Sequence, residues 1–156
     1  MTDQLKIRNL LCRTQFLCDG VRTAFDFTFA IFEPEDIEVW INGVAVSQGF
    51  AVQGVRETDG GRVVFQAPPA AGSHLTLQRR LVIARETDFQ HGGILRADAL
   101  NDELDRITAI LQQLDGDTSR AVRLHVSDDA AELRLPAKAS RAGQVLAFDS
   151  AGNLTT

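Results

Sequence analysis

The stretch at 98–115, DALNDELDRITAILQQLD, limits what this chain can fold into more than any other. Leu100, Leu104, Ile107, Leu111 and Leu114 are spaced 4, 3, 4 and 3, which places them on one side of a helix. In heptad terms Leu104 and Leu111 take position a, and Leu100, Ile107 and Leu114 take position d. The remaining positions are mostly charged or amide, with Ala109 and Ile110 widening the apolar face slightly. Asp98 suits a cap at the start, and Asp102 and Glu103 place negative charge near the positive end of the helix dipole. Asp102 and Arg106 are spaced for an i, i+4 pair, and Gly116 stands where a helix C-cap favours glycine. The expected helix has about 18 residues and a length of roughly 27 Å.

A helix of that length is marginal alone in water, so its seam must be covered. It can lie on this chain's own core or pair with copies of itself. Two features favour copies. The seam is close to strict a/d, narrower than the stripe of a helix lying on a sheet. Nearly all other apolar signal in the chain is of β type. Leucine at a departs from the dimer preference for a β-branched residue there, which points to a trimer. Leu100, Leu104, Ile107, Leu111 and Leu114 are thus the expected trimerisation residues.

The chain has 156 residues, room for one ordinary domain and an appendage. A net charge of −5 gives no general nucleic-acid footprint, and no apolar run reaches the length of a membrane span, so neither partner is expected. Cys12 and Cys18 lack the further cysteine or nearby histidine of a zinc site and are expected as reduced thiols.

Residues 1–11 show no clean period and are expected as an N-terminal arm. Residues 12–90 read as a β-rich domain. Phe25, Phe27 and Phe29 alternate with Asp26 and Thr28, the period of a half-buried strand, after a turn at Asp19-Gly20. Glu33 to Asp36 breaks the pattern. Ile37, Val39 and Ile41 then alternate up to Asn42-Gly43, a strong hairpin signal, with a return strand at Val44 to Val46. Phe50 to Val55, Val63 to Phe65, and Leu75 and Leu77 extended to Leu81-Val82-Ile83 are further strands, with a turn at Thr58 to Gly61. This spacing predicts an antiparallel sandwich or barrel-like domain. Residues 91–97 are a linker, 98–115 the coiled-coil helix, and 116–156 a β-rich end, the start of a fibre shaft or an adaptor end. Short strands are expected there at Ala121 to Val126, Glu132 to Leu135 and Val145 to Phe148, with a turn at Ser150 to Asn153. The fold class is therefore mainly β, with one helix.

No catalytic set rises above chance, and no cofactor or metal is expected. His74, His91 and His125 stand in separate segments without metal-ligand spacing. Asp26, Asp36, Asp88 and Asp102 could pair as in a glycosidase, but solvated carboxylates are the ordinary reading. Arg79, Arg80 and Arg85 read as a solvated face at a strand end rather than an anion site. Trp40 is either an exposed anchor or part of one sheet face.

The runs FDFTFAIFEPEDIEVWINGVAV, TDGGRVVFQAPPAAGSHLTLQRRLVIARETDFQHGG and LRADALNDELDRITAILQQL together resemble the N-terminal, virion-anchoring domain of phage tail fibres of the short-tailed phage type. The resemblance lies in an F-x-F strand, an acidic break, a hairpin, a G-G-x-V-x-F strand, a P-A-A-G loop, and a helix headed by L-N-D-E-L-D-R. It covers about residues 15–115. It implies a structural virion protein, made in the bacterial cytoplasm, that fixes a trimeric fibre to the tail for host attachment. Its implied partners are two further copies, phage tail proteins (tail tube, adaptor or baseplate), and a receptor-binding protein. Leu5 and Ile7 of the arm, the hairpin tip Asn42-Gly43 and the loop at Asp59-Gly60 are the candidate tail contacts. The alternative is a carbohydrate-binding β module or a depolymerase (tailspike) fragment acting on host glycan; the lack of tyrosine and the single tryptophan count against it.

Overall fold

A computed structural model of the chain describes residues 5–85, 87–89, 91–93, 95–123, 125–127, 135, 137–150 and 154–155. The chain forms two compact units, 1–120 and 121–156. The first is mainly β, with antiparallel sheets and one long helix.

Among the described residues, seven strands build the β part: β1 (Arg13–Leu17), β2 (Ala24–Phe27), β3 (Ile37–Ile41), β4 (Val44–Val46), β5 (Phe50–Gln53), β6 (Gly61–Phe65) and β7 (His74–Arg79). They form two antiparallel sheets, ordered β1-β7-β3-β4 and β2-β6-β5. The period-2 side chains of both sheets meet in one core, which includes Phe25, Phe27, Val39, Val63, Leu75 and Leu77. Phe25 and Phe65 meet edge to face, with ring centroids 5.8 Å apart. The expected mainly-β class with antiparallel sheets is present. On its outer surface Asp26 and Arg62, cross-strand partners, form an ion pair at 2.5 Å. Trp40 belongs to the outer sheet face, half-buried between Thr76 and Ala45, with its ring N–H donating to Glu38 at 3.3 Å.

The turns follow their residues. Asn42 and Gly43 both have positive φ, 51° and 79°, as the tight hairpin requires. Asn42 also accepts from the His74 N–H through Oδ1 at 2.8 Å, tying the hairpin tip to β7. At Gly60 and Gly61 the backbone comes so close to its neighbours that a Cβ would lie 2.1 Å from the Phe27 carbonyl oxygen and 2.0 Å from that of Gln53. The acidic break is one 3-10 turn, Pro34–Asp36, in which Asp36 accepts from the Phe32 and Glu33 N–H groups.

Residues 29–32 face two ways. Phe29 and Ile31 enter the sandwich core, while Ala30 and Phe32 enter a second cluster with Leu5, Leu81 and Ala109. That second cluster seats helix α1 (Ala97–Thr118) on the β domain. The helix is longer than the predicted 98–115. Gly116 does not end it: Gly116 lies inside the helix beside Cys12 and avoids the left-handed conformation of a glycine cap. Hydroxyls of Thr118 and Ser119, donating to the carbonyls of Leu114 and Gly116 at 2.8 Å or less, finish the last turn instead. At the other end the N-cap is Arg96, not Asp98. Asp98 stands in the first turn, where its bond from Arg96, then that from the Ala99 N–H, holds its carboxyl below the usual range. Asp102 pairs with Arg56 at 2.6 Å rather than with Arg106.

The described part of the arm packs on the helix. Leu5 is buried in the second cluster, and the chain from Leu5 to Cys12 runs along α1. The Ile7 N–H donates to Asp105 at 3.3 Å, and the Gln112 side chain donates to the Arg8 carbonyl at 2.6 Å. Among the described residues of the arm Leu5 and Ile7 pack inward, too few to give a period, which is why 1–11 read as an arm.

Cys12 and Cys18 are free and buried. Burial, and secondarily the charge of Asp19, pushes the Cys18 thiol up from its ordinary value. The thiolate fraction at pH near 8 is therefore lowered, and access is closed. Native protein is expected to react far more slowly with an aromatic disulfide reagent than the same protein in denaturant, measured by absorbance. Equal rates in the two conditions would contradict the burial of both thiols.

The second unit contains the short helix α2 (Lys138–Arg141) and the antiparallel pair β8 (Ala147–Phe148) and β9 (Leu154–Thr155). Its first strand has two residues where Val145 to Phe148 was expected. No strand forms among the described residues of Ala121 to Val126. Glu132 to Arg134 and Ala151 to Asn153 lie outside the described residues.

Candidate functional site

Helix α1 has two opposite faces with different chemistry. Residue 109 is nine positions from residue 100, two and a half turns, so Ala109 points about 180° away from the seam. Asp102, Ala109, Gln113 and Gly116 make up this inward face. It is polar and small, and what holds it is mostly hydrogen bonding to backbone.

Arg79 is the centre of that contact. Its side chain is fully buried, at 0% exposure. Nη1 donates to the Ala30 carbonyl at 3.1 Å; Nη2 donates to the Ala109 carbonyl at 3.0 Å and to Gln112 Oε1 at 2.8 Å. One guanidinium thus joins the β domain to the middle of the helix. Burial lowers the pKa of Arg79 from its ordinary value, and the nearby charge of Asp36 acts in the other direction. Gln113 is buried as well. Its Oε1 accepts from the Leu81 N–H at 2.7 Å and its Nε2 donates to the Leu81 carbonyl at 3.4 Å, so the amide occupies the place of a neighbouring strand. Ion pairs of Arg56 with Asp102, at 2.6 Å, and of Arg80 with Asp117, at 2.7 Å, flank these contacts.

The expectation of a solvated Arg79 is therefore overturned. A signal for its burial was present: Leu75, Leu77, Arg79 and Leu81 share one strand parity, so Arg79 stands in a row of core positions. Residue type outweighed period in the sequence reading.

The outward face is the heptad seam. Leu104, Ile107, Leu111 and Leu114 are 53%, 46%, 60% and 42% exposed, and Leu100 is half-buried. Large apolar side chains repeat along a helix whose other side is fixed, and nothing in the described residues covers them. Of the other sequence candidates, Asn42 and Gly43 sit at an exposed hairpin tip, and Asp59 is exposed and paired with Arg8 at 2.5 Å. Gly60 has the packing reason given above. Leu5 is 5% exposed, its side chain spent inside the chain, and Ile7 is partly buried beside it. The structure does not bring these residues into one patch with the seam.

The carboxylates weighed as a catalytic pair lie apart in role. Asp26 binds Arg62, Asp36 caps the 3-10 turn, and Asp102 binds Arg56. Among the described residues, no group of three or more His, Cys, Asp or Glu is placed to hold a metal ion. Nor, among the described residues, is any helix long and apolar enough to cross a membrane.

No family model matches the chain. Over 112 residues, 67% of the chain, the sequence is 30% identical to a tail spike protein of Salmonella phage epsilon15. The match occupies 10% of that protein, so the chain spans about a tenth of the length of the curated relative it matches. The similarity supports a phage tail protein in general.

Proposed function

We propose that the chain is a structural part of the phage virion, the base that anchors a trimeric tail fibre or spike to the tail. In this reading the protein is not an enzyme. Helix α1 joins three copies through Leu100, Leu104, Ile107, Leu111 and Leu114 as a short coiled coil, and the β domain grips the tail. One observation carries it: a regular heptad seam stands exposed on a helix whose opposite face is already bonded to its own domain. A helix needed only to cap the sandwich would turn its leucines inward.

The expected partners are two further copies of the chain, a tail tube, adaptor or baseplate protein, and a receptor-binding protein beyond the base. Three joined chains present three copies of every loop, so weak contacts to the tail add through effective concentration. The hairpin tip Asn42-Gly43, the loop at Asp59-Gly60 and the arm are the candidate contacts. With Leu5 turned inward, the arm would offer its exposed side chains, such as Arg8. The name of the matched relative favours a spike as what the base carries, and a glycan-binding or depolymerase role would then belong to the rest of such a protein.

Two measurements test the proposal. Sedimentation of the purified chain at micromolar concentration is expected to show a trimer; a monomer throughout would remove the reading. Particles whose fibre protein carries Lys6→Glu and Arg8→Glu, exposed arm positions whose exchange leaves Leu5 and Ile7 packed, are expected to keep tails and lose fibres in electron micrographs. Fibres at normal occupancy would move the grip from the arm to the loops.

A further inference from the structure

The two sheets of the β domain part along one side. There β4, an edge strand of one sheet, and β5, an edge strand of the other, are joined only by Ser47, Gln48 and Gly49. Between these edges lies a cleft of about 530 Å³. Ile37, Val39, Val46, Phe50 and Val52 line it, so its floor is the rim of the sandwich core. Its charged wall is acidic: Glu35 and Glu38 line it, and among the described residues no lysine or arginine does. Glu38 accepts from the Trp40 ring N–H at 3.3 Å and stands 3.7 Å from Arg80. Glu35 is exposed and pairs with no cation among the described residues.

The backbone beside this cleft has bonding capacity to spare. The Gly49 carbonyl accepts from the Gln66 N–H at 2.8 Å. Antiparallel pairs alternate, so Ala51 and Gln53 bond to β6, while the N–H and C=O groups of Phe50 and Val52 point away from it, along the cleft. The other edge offers less. The Asn42 N–H turns to the His74 carbonyl at 2.9 Å, so Ile41 and Val39 bond to Val44 and Val46, and only Ala45 of β4 points outward. Sheet edges are commonly protected by a charge or a proline, and β5, Phe50–Gln53, carries neither.

We propose that the cleft takes an added β-strand: an extended segment of the tail protein pairs with β5, lays alternate apolar side chains on Ile37, Val39 and Val46, and sets a lysine or arginine beside Glu35. Outward groups two residues apart, on Phe50 and Val52, match the repeat of an extended chain and not that of a helix. The apolar floor receives every second side chain of such a strand, and the acidic wall selects a basic one. The groove itself stands on the geometry of the sandwich; naming the tail protein as the donor rests on the proposed tail anchoring.

A library of displayed random peptides panned against the full chain tests the groove, with the enriched peptides then synthesised. They are expected to alternate apolar and polar residues and to carry a lysine or arginine near one end. On binding, hydrogen exchange of the Phe50 and Val52 amides is expected to slow, while the Ala51 and Gln53 amides are slow with and without peptide. Glu35→Lys, an exposed change, is expected to weaken these peptides about threefold or more. Val52→Pro removes an outward donor and is expected to weaken them about tenfold, with thermal unfolding used to check that the variant folds. No enrichment, peptides indifferent to Glu35→Lys, or unchanged exchange at Phe50 and Val52 would each overturn strand addition. Particles whose fibre protein carries both changes are expected to lose fibres. Full occupancy in those particles, with peptides binding as expected, would overturn the tail protein as donor. Fibres lost with Lys6→Glu and Arg8→Glu but kept with these two changes would leave tail anchoring standing and remove this inference.

Discussion

Leu104→Asp combined with Leu111→Asp is expected to abolish self-association and leave the folded unit intact. Both leucines are more than half exposed in the single chain, at 53% and 60%, so within the chain the change meets water. The local cost is the lower helix propensity of aspartate, about half a kcal/mol per site. In an assembled coiled coil the same two positions face the axis, and each copy would bury two unpaired carboxylates. That costs several kcal/mol per site, and each 1.4 kcal/mol is about tenfold in affinity. The association constant is therefore expected to fall by at least about a thousandfold. Sedimentation at micromolar concentration should report monomer for the variant, with circular dichroism and thermal unfolding close to those of native protein. If the variant unfolds, the seam is covered by its own domain. If it stays oligomeric, the copies are joined elsewhere.

The strands were legible because their burial follows a period of two. Phe25 and Phe27, Ile37 and Val39, and Leu75 and Leu77 all point into the core as the alternation requires. The turns at Asn42-Gly43 and Gly60-Gly61 were legible because glycine there answers to a positive φ or to a close backbone approach. The seam was legible too, and its exposure is what made it a candidate surface. The inward face of α1 was not, because its partners are carbonyl and amide groups rather than apolar side chains. Gln113 carries no hydrophobic signal, and Ala109, expected to widen the seam, points away from it and is buried on the β domain, so the helix seemed to have one face when it has two. Gly116 looked like a helix stop on residue type alone. The hydroxyls of Thr118 and Ser119 carry the helix past it.

Arg79→Ala is expected to loosen α1 from the sandwich without unfolding the sandwich first. The substitution removes a cation that bridges the Ala30 carbonyl, the Ala109 carbonyl and Gln112 Oε1. The Ala109 carbonyl keeps its place in the helix ladder, but the Ala30 carbonyl loses this partner in a buried site and Gln112 Oε1 in a partly buried one. Hydrogen bonds to a charged donor contribute about 1.5–3 kcal/mol each, and part of that returns because a desolvated charge is also removed. A net loss on the order of 3 kcal/mol is expected, most of it felt at the helix contact. Hydrogen exchange should show it as lost protection of the α1 amides, with the amides of β3 and β7 still protected. Arg79→Met separates packing from polarity, since it keeps a long side chain and removes every donor. Its loss should lie between those of native protein and Arg79→Ala. Arg79→Lys is expected to restore little, because an ammonium lacks the planar fork that reaches three acceptors at once. Because the seam is presented by a helix held in place at Arg79, both neutral variants should also weaken self-association in sedimentation. Full protection of the α1 amides in Arg79→Met would show that bulk alone seats the helix and that the hydrogen bonds add nothing.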